Sequence, residues 1–246
     1  HLSIRRQRQM CIRDRVSACA TIALWSALHP LAKPFGLPRL SPSEITEIAT
    51  TFPSEYRKFP SSGLSWEQMI NCLKSLGLDI ETINLENTED GDIISTAIKA
   101  YINAGFPLIG ALSLKQEGIS EPKYHAVVIS GYRYDRHGDI TELYLHDDTV
   151  GPYCGVNFDE SLKHWNYEWT SRGFEVTLEK LLIPIYHKVR LTYARIYHRF
   201  LKIKEETIKE TEDLDIELLL TTTNDYKNFL LKHQLSGGLV PVEEGN

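Results

Sequence analysis

Residues 124–147, YHAVVISGYRYDRHGDITELYLHD, contain the pattern that decides the fold class. The runs 124–134 and 139–146 are rich in β-branched and aromatic residues, as is typical of β-strands. The segment 136–139 between them, Arg-His-Gly-Asp, indicates a hairpin turn. We therefore predict two antiparallel neighbouring strands, with His125 at the start of the first and Asp147 at the end of the second.

Further strand candidates follow Phe106, and helix candidates precede it. The additional apolar runs are PLIGALSL (107–114), GFEVTL (173–178) and LLIPIY (181–186). Helical start and stop signals bound four upstream segments: 17–29, 41–50, 65–77 and 92–105. The run LDIETINL (78–85), between the third and fourth of these segments, is predicted to be a strand. Helices followed by an antiparallel sheet predict an α+β fold.

The segment 17–29, SACATIALWSALH, is predicted to form a buried helix because Ala and Leu recur at helical spacing. Ser17 is expected to cap this helix and Pro30 to end it. A second amphipathic helix is expected at 188–209, with an apolar stripe formed by Val189, Tyr193, Ile196, Tyr197 and Phe200. Beyond it, we predict a chain that is weakly structured or cut inside a further element.

Composition excludes several classes of protein. The chain has 246 residues, of which 42% are hydrophobic and 24% charged, as in ordinary globular domains. A net charge of −6 argues against nucleic acid as a partner, and no apolar run approaches the length of a membrane span. The four cysteines lack the paired spacing of a disulfide scaffold or a zinc site. We therefore expect a cytoplasmic protein with reduced thiols, no cofactor and no metal.

The first fifteen residues, HLSIRRQRQMCIRDR, differ sharply from the rest because they hold five arginines and one aspartate. They resemble translated sequencing-adapter readthrough, and we interpret them as non-native. On this hypothesis, native sequence begins near Val16 and the true N-terminus is missing. The expected division is a main domain at 16–186 and a C-terminal helical extension at 187–246, for which truncation is left open.

Three residues have the chemistry of a nucleophilic site: Cys19, His125 and Asp147. A cysteine at a helix N-terminus has its thiolate stabilised by the helix dipole, so its pKa falls. A nearby histidine can take the thiol proton and later protonate the leaving amine. A carboxylate on the other ring nitrogen holds the tautomer and the ring orientation. Because the hairpin register is not readable from sequence, their meeting is a hypothesis.

These motifs resemble those of the papain-like cysteine peptidases, in particular the bacteriocin-leader-processing clade and its bacterial relatives. The resemblance covers about residues 16–155 and rests on SACATIALWSALH, YHAVVISGYRYD and LYLHDDTVGPY. It implies a papain-like fold, with a helical lobe against an antiparallel sheet. It also implies a Cys19 nucleophile, a His125 general base and acid, an orienting Asp147, and a peptide or protein substrate.

The chain departs from the family pattern at three points. The family has a glutamine about six residues before the cysteine, where its amide completes the oxyanion hole, but this chain has Arg13 there. The family usually has Asp-Pro after the third strand, whereas Asp147-Asp148 leaves the carboxylate assignment open. The residue after the cysteine is commonly Gly in the family and is Ala20 here.

Other interpretations stay open at this point. The same fold could serve as a catalytically impaired module that binds a peptide or a protein, or as a transglutaminase-like or acetyltransferase enzyme. The segment His146-Asp147-Asp148 could bind a metal or form a turn. Cys72 and Cys154 are interpreted as structural. The remaining aromatic candidates suit either a substrate groove or packing: Tyr144, Tyr153, Trp165, Tyr167 and Trp169. Oligomeric state is left open.

Overall fold

The computed structural model describes residues 18–51, 63–86, 91–187, 189, 191–208, 216–221 and 223–235. The segment that we interpret as non-native, the capping candidate Ser17, and the Gly-Gly tail lie outside the described residues. The described chain comprises a group of three helices, a seven-stranded antiparallel sheet, and helices that follow the sheet.

Three helices open the described chain: α1 (Cys19–Phe35), α2 (Pro42–Thr50) and α3 (Trp66–Ser75). The last two begin with capping boxes, in which the hydroxyl of Ser41 or Ser65 accepts from the backbone three residues on. The predicted starts of these two helices are therefore confirmed.

The prediction for the C-terminal end of α1 is wrong. The described N-cap residue is Ala18, whose side chain makes no capping hydrogen bond, while Ser17 lies outside the described residues. The helix does not end at Pro30 but continues through Pro30 and Pro34 to a left-handed Gly36 with φ of 64°. A proline inside a helix costs about 3 kcal/mol or more. Burial of apolar residues on both sides of Pro30 offsets this cost, with Leu28 and Leu31 in the core.

The sheet and its short helices follow in the order β1 (Leu78–Asn84), α4 (Gly91–Asn103), β2 (Leu108–Gln116), β3 (Lys123–Tyr134), β4 (Ile140–Asp147), β5 (Gly151–Phe158), β6 (His164–Asn166), α5 (Glu168–Ser171) and β7 (Phe174–Tyr186). Every pairing is antiparallel, in the order β1-β7-β2-β3-β4-β5-β6. Strand β6 also pairs with β7, so six strands close into a barrel and β1 extends the sheet beyond it. The predicted α+β fold is confirmed.

Three details of the sheet differ from the prediction. The runs 173–178 and 181–186 form one strand, β7, in which a register shift against Ala111 and Leu112 leaves Glu179 as a bulge. Strands β5 and β6 were not predicted at all. Their sequences escape a periodicity criterion because β5 contains Gly151, Gly155 and a left-handed Tyr153, while β6 has only three residues.

The two faces of the sheet pack against different partners. Val127 and Ile129 of β3 belong to a core shared with α4 and the inside of the barrel. Ala126 and Val128, which alternate with them, pack against α1, α2 and α3. Strand β3 is therefore the element through which the helical side and the barrel side of the molecule meet.

The C-terminal part forms two helices, α6 (Tyr193–Ile208) and α7 (Thr223–Leu235). Tyr193 and Tyr197 are buried in the barrel-side core, and the Tyr193 hydroxyl donates to the Ile93 carbonyl at 2.7 Å. Val189 does not join their stripe because it precedes the helix and is exposed. Of the two alternatives left open for this end of the chain, a further element agrees with the helix α7. None of the helices in the described part of the chain is long and apolar enough to cross a membrane.

Candidate active site

Cys19 is the first residue of α1, and it is buried. Helix α1 packs against β3. The thiol is therefore at a helix N-terminus, where the helix dipole favours a negative charge. Ala18 at the N-cap makes no side-chain capping hydrogen bond.

His125 is the third residue of β3 and is also buried. Leu112 of β2 lies opposite it across the ladder. Its side chain shares the face of Val127 and Ile129 by strand alternation. The ring lies against Trp169, with 5.2 Å between the two ring centroids.

Asp147 ends β4 and is nearly inaccessible to solvent, with 3% of its surface exposed. The ladder sets Leu145 opposite Ile129, so Asp147 and His125 occupy diagonal positions on one face. His125 Nε2 lies 2.9 Å from Asp147 Oδ2 and 3.8 Å from Asp148 Oδ1. Of the two carboxylates that sequence left open, Asp147 is the one within hydrogen-bond distance of the imidazole.

The thiol and the carboxylate both interact with the imidazole. The side chains of Cys19 and His125 form a hydrogen bond. Because His125 Nε2 faces Asp147, Nδ1 is the ring nitrogen left for the thiol. Burial lowers the pKa of His125, but the hydrogen bonds and negative charges of Asp147 and Cys19 outweigh burial and raise this pKa to about 10. The arrangement therefore favours an imidazolium beside an ionised Asp147 at neutral pH.

The Asp147 carboxylate is held by donors on both oxygens. Oδ2 faces His125 Nε2 and accepts from Trp169 Nε1 at 3.1 Å and from the Tyr167 hydroxyl at 3.4 Å. Oδ1 accepts from the backbone N–H groups of Thr149 at 2.7 Å and Val150 at 3.1 Å. Burial raises the pKa of this carboxyl, but the His125 contact, with help from Thr149 and Trp169, lowers it to about 2. The carboxylate is consequently ionised throughout the neutral range.

Tyr167 and Trp169 were predicted only as residues that suit either a groove or packing, and their contact with Asp147 was missed. They flank the start of α5, and the Arg172 guanidinium lies 5.2 Å from the centroid of the Trp169 ring. The one sequence signal was aromatic density, since Trp165, Tyr167 and Trp169 alternate within five residues. That signal indicates packing and does not identify which carboxylate the indole N–H reaches.

Metal binding was left open for His146-Asp147-Asp148, but in the structure His146 does not lie on the same face as the other two residues. His146 points to the face opposite Asp147 and contacts Tyr153, with ring centroids 4.5 Å apart. His125, Asp147 and Asp148 bring one ligand atom each within 4.8 Å. Both Asp147 oxygens already accept hydrogen bonds, as described above, so a cation there would have to displace buried donors.

The other two described cysteines lie outside the triad. Cys72 is fully buried on α3, its thiol is 3.8 Å from the Ile45 carbonyl, and burial raises its pKa to about 11. Cys154 on β5 is half-buried, and burial together with the Asp147 charge raises its pKa to about 11. Both thiols are therefore protonated at neutral pH. The position of Arg13, where the family has its glutamine, lies outside the described residues.

Comparison with solved structures gives partial matches to peptidase domains, of which two are described here. One is the peptidase domain of Streptococcus ComA, a bi-functional ABC transporter involved in a quorum-sensing pathway, with 16% identity and a TM-score of 0.37 over 65% of this chain and 90% of that domain. The other is the N-terminal peptidase C39 like domain of the toxin secretion ATP-binding protein from Vibrio parahaemolyticus, with 14% identity and a TM-score of 0.31 over 64% of this chain and 96% of that domain. No family model and no curated protein matches the chain.

Proposed function

We propose that the protein is a thiol-dependent peptidase or amidase on a papain-like fold, with Cys19, His125 and Asp147 as its catalytic triad. The observation that carries this proposal is the position of His125, which bonds to the Asp147 carboxylate through one ring nitrogen and to the Cys19 thiol as well. Three groups that are far apart in sequence thus form one connected chain of hydrogen bonds. Its order of nucleophile, base and orienting acid is the order that acyl transfer requires.

The reaction begins with the Cys19 thiolate, whose proton resides on His125. Sulfur attacks the carbonyl carbon of an amide or peptide bond and forms a tetrahedral intermediate. His125 then gives its proton to the leaving amine as the C–N bond breaks, which leaves an acyl-enzyme. A water molecule, deprotonated by His125, attacks the thioester and releases the acid and the free thiol. Asp147 keeps the imidazole oriented and stabilises its charged form.

The tetrahedral oxyanion needs hydrogen-bond donors, and the start of α1 is their natural source. The first N–H groups of a helix lack intrahelical acceptors, and Ala18 supplies no capping side chain. The backbone N–H of Cys19 is the first donor in this proposal. The second donor, a glutamine amide in the family, is replaced by Arg13, and loss of one such donor costs about 10²–10³ in turnover.

A thiol-labelling experiment tests the triad directly. Iodoacetamide should alkylate Cys19 much faster than Cys72 or Cys154, because those two thiols are protonated at neutral pH. Peptide mapping by mass spectrometry assigns the rate to each cysteine. In His125→Ala the fast phase at Cys19 should vanish, while the Cys154 rate, an internal control, stays unchanged. Equal rates at all three thiols in the unmodified protein would contradict the proposal.

The nature of the acyl acceptor is tested by product analysis. With a fluorogenic peptide library and an added amine such as glycinamide, hydrolysis yields only free acids, whereas acyl transfer yields the amide adduct. We expect free acids as the main products. A dominant adduct would assign the same thiol to a transferase.

A catalytically impaired binding module is the second candidate, and Arg13 in place of the glutamine favours it. On this alternative, the fold binds a peptide or a protein without cleaving it. Fast labelling of Cys19 combined with saturable peptide binding and no turnover would favour the module. Turnover that disappears in Cys19→Ala would favour the enzyme.

A further inference from the structure

A cleft of about 580 Å³ opens on the helical face of the sheet, apart from the candidate triad. Helix α1 contributes Trp25, Ser26 and His29 to it, while β3 and β4 contribute Val128, Ser130 and His146. Phe106, before β2, and Tyr153, in β5, complete its aromatic walls. Its volume lies inside the range of about 300–1,000 Å³ that is usual for small-molecule sites.

The cleft and the candidate triad are at different places on the same three elements, α1, β3 and β4. Ser26 lies two helical turns beyond Cys19, or about 10 Å along the axis of α1. Among the described residues that line the cleft, none belongs to the triad. A ligand in this cleft would therefore not need to contact the thiol.

The lining determines the charge that a ligand can carry. No Asp, Glu, Lys or Arg occurs among the described residues that line the cleft, and its ionisable groups are the imidazoles of His29 and His146. Burial lowers the pKa of His146, so this ring is neutral at pH 7. A charged group buried here would lose its hydration without gaining an opposite charge, which is costly. The lining therefore favours an uncharged occupant.

The walls favour a flat aromatic body. Tyr153 has φ of 56°, a left-handed conformation that costs a non-glycine residue about 1–3 kcal/mol and that is found disproportionately at functional positions. Its ring is 71% exposed yet rests edge-on against the His146 ring. Trp25 and Phe106 supply further aromatic surface. Edge-to-face and stacked contacts with such rings reward planar ligands.

The strand pairing argues against an extended peptide in this place. Strand β3 pairs with β2 on one side and β4 on the other, and β4 also pairs with β5. The main chain of a peptide would find no open strand edge at Val128, Ser130 or His146, whereas β-addition needs one. A small molecule needs only the face of the sheet.

We propose that this cleft is a binding site for an uncharged aromatic small molecule, gripped by Trp25, Phe106 and Tyr153. The imidazole of His29 adds a polar contact at the helical side of the cleft. Its Nδ1–H donates to the Trp25 carbonyl oxygen at 3.1 Å, so Nε2 of the neutral ring is left as an acceptor for a hydroxyl group of the ligand.

The test uses the full chain and two matched probes, 2-naphthol and the 2-naphthoate anion, at pH 7. Saturation-transfer NMR reports contact, and calorimetric titration gives the dissociation constants. We expect saturable binding of 2-naphthol and binding of 2-naphthoate that is at least roughly tenfold weaker. Equal affinity for the two probes, or no saturable binding of 2-naphthol, would overturn the proposal.

Two variants locate the binding. Tyr153→Gly removes the ring while keeping a residue that tolerates positive φ, so the fold is retained and affinity for 2-naphthol should fall roughly five- to tenfold. Tyr134→Ala removes an equally exposed tyrosine at the far end of β3 and should leave affinity unchanged. An unaltered affinity in Tyr153→Gly contradicts the assignment, as does displacement of 2-naphthol by a peptide substrate. Neither readout depends on Cys19, so failure here leaves the proposed peptidase activity untouched.

Discussion

On the barrel side of the candidate site, the Asp147 carboxylate is held by donors at both oxygens, and His125 and Trp169 both bond to its Oδ2 while their rings lie against each other. On the helical side, Cys19 begins a helix whose N-cap residue is an alanine without a capping side chain. The carboxylate half is thus held by a dense hydrogen-bond network, whereas the N-cap residue of the helical half contributes no side-chain bond. On the proposed function, the barrel half maintains the geometry and the helical half supplies the nucleophile.

Replacement of the thiol should have the largest effect on activity and almost none on the fold. In Cys19→Ala, hydrolysis of a peptide substrate is expected to fall by at least roughly 10³, because no other described group can replace the nucleophile. The free energy of unfolding should change by about 1 kcal/mol or less, since one small buried atom is lost. Initial rates and urea unfolding measure the two effects. Cys154→Ala is the matched control, and we expect it to retain activity.

The segment before Ala18, which lies outside the described residues, offers a change in the direction of gain. On the proposed function, Arg13→Gln supplies the amide that the resemblance implies six residues before the cysteine, and we expect turnover to rise by about 10²–10³. The Michaelis constant should change little, because an oxyanion donor acts mainly in the transition state. Arg8→Gln removes one positive charge near position 13, beside the Gln9 that is already in the chain, and it is the control for loss of charge alone. A gain of equal size in Arg8→Gln would point to charge rather than to the oxyanion hole.

Asp147→Asn tests how strongly the stability of the barrel half depends on a hydrogen-bond acceptor at both carboxylate oxygens of Asp147. The amide nitrogen of asparagine must face either the backbone N–H groups of Thr149 and Val150 or the donors His125 and Trp169. Either placement sets a donor against donors, which costs about 1–3 kcal/mol of unfolding free energy. Asp148→Asn keeps the main contact intact and should be close to neutral. Equal stability of the two variants would show that the network is not what holds this half.

The sequence predicted the strands that carry His125 and Asp147, but it did not predict the register between them, for a physical reason. Strand signals predicted β3 and β4, with His125 at the start of the first and Asp147 at the end of the second, but they left open whether the two side chains meet. The register that brings them together depends on irregularities between Ile129 and Gly131 and near Tyr134, which periodicity does not reveal.

The supporting contacts were harder to predict than the triad candidates. Tyr167 and Trp169 reach Asp147 only because β6 and α5 return to the barrel, and β6 is too short to show a pattern. The full length of α1 was not predicted either, because Pro30 and Pro34 are expected to end a helix. Burial of the helix in the tertiary structure overrides this local preference. Local signals thus predicted the candidate residues Cys19, His125 and Asp147, whereas the side chains that surround them needed the tertiary structure.

The charge state of the barrel half predicts a dependence of stability on pH. The pKa of His125 is raised to about 10 in the folded protein, above its ordinary value near 6.5, so the folded state binds this proton more tightly. This contribution is fully present below pH 6.5 and is lost as pH rises through 10. The pKa of Asp147 is lowered to about 2, so its contribution is lost as pH falls below 4. Urea unfolding of the native chain and of His125→Ala should diverge at pH 6 and converge near pH 10.

The smallest expected effect on turnover is that of Trp169→Phe, which tests whether Trp169 positions the Asp147 carboxylate or only packs against its neighbours. Trp169→Phe keeps an aromatic ring over His125 but removes the N–H that donates to Asp147 Oδ2. Loss of one hydrogen bond to a charged group is worth about 1.5 kcal/mol, or roughly a tenfold change at most. We expect turnover to fall about three- to tenfold with the Michaelis constant unchanged, because the carboxylate is less firmly oriented. The alkaline limb of the pH–rate profile should move to higher pH, because a carboxylate that has lost a donor is more basic and binds the imidazolium more firmly. Phe174→Leu, which alters packing against Trp169 without removing a donor, is the control. A shift of the pH profile in both variants would indicate packing alone, whereas a shift in Trp169→Phe only would show that the indole N–H positions the carboxylate.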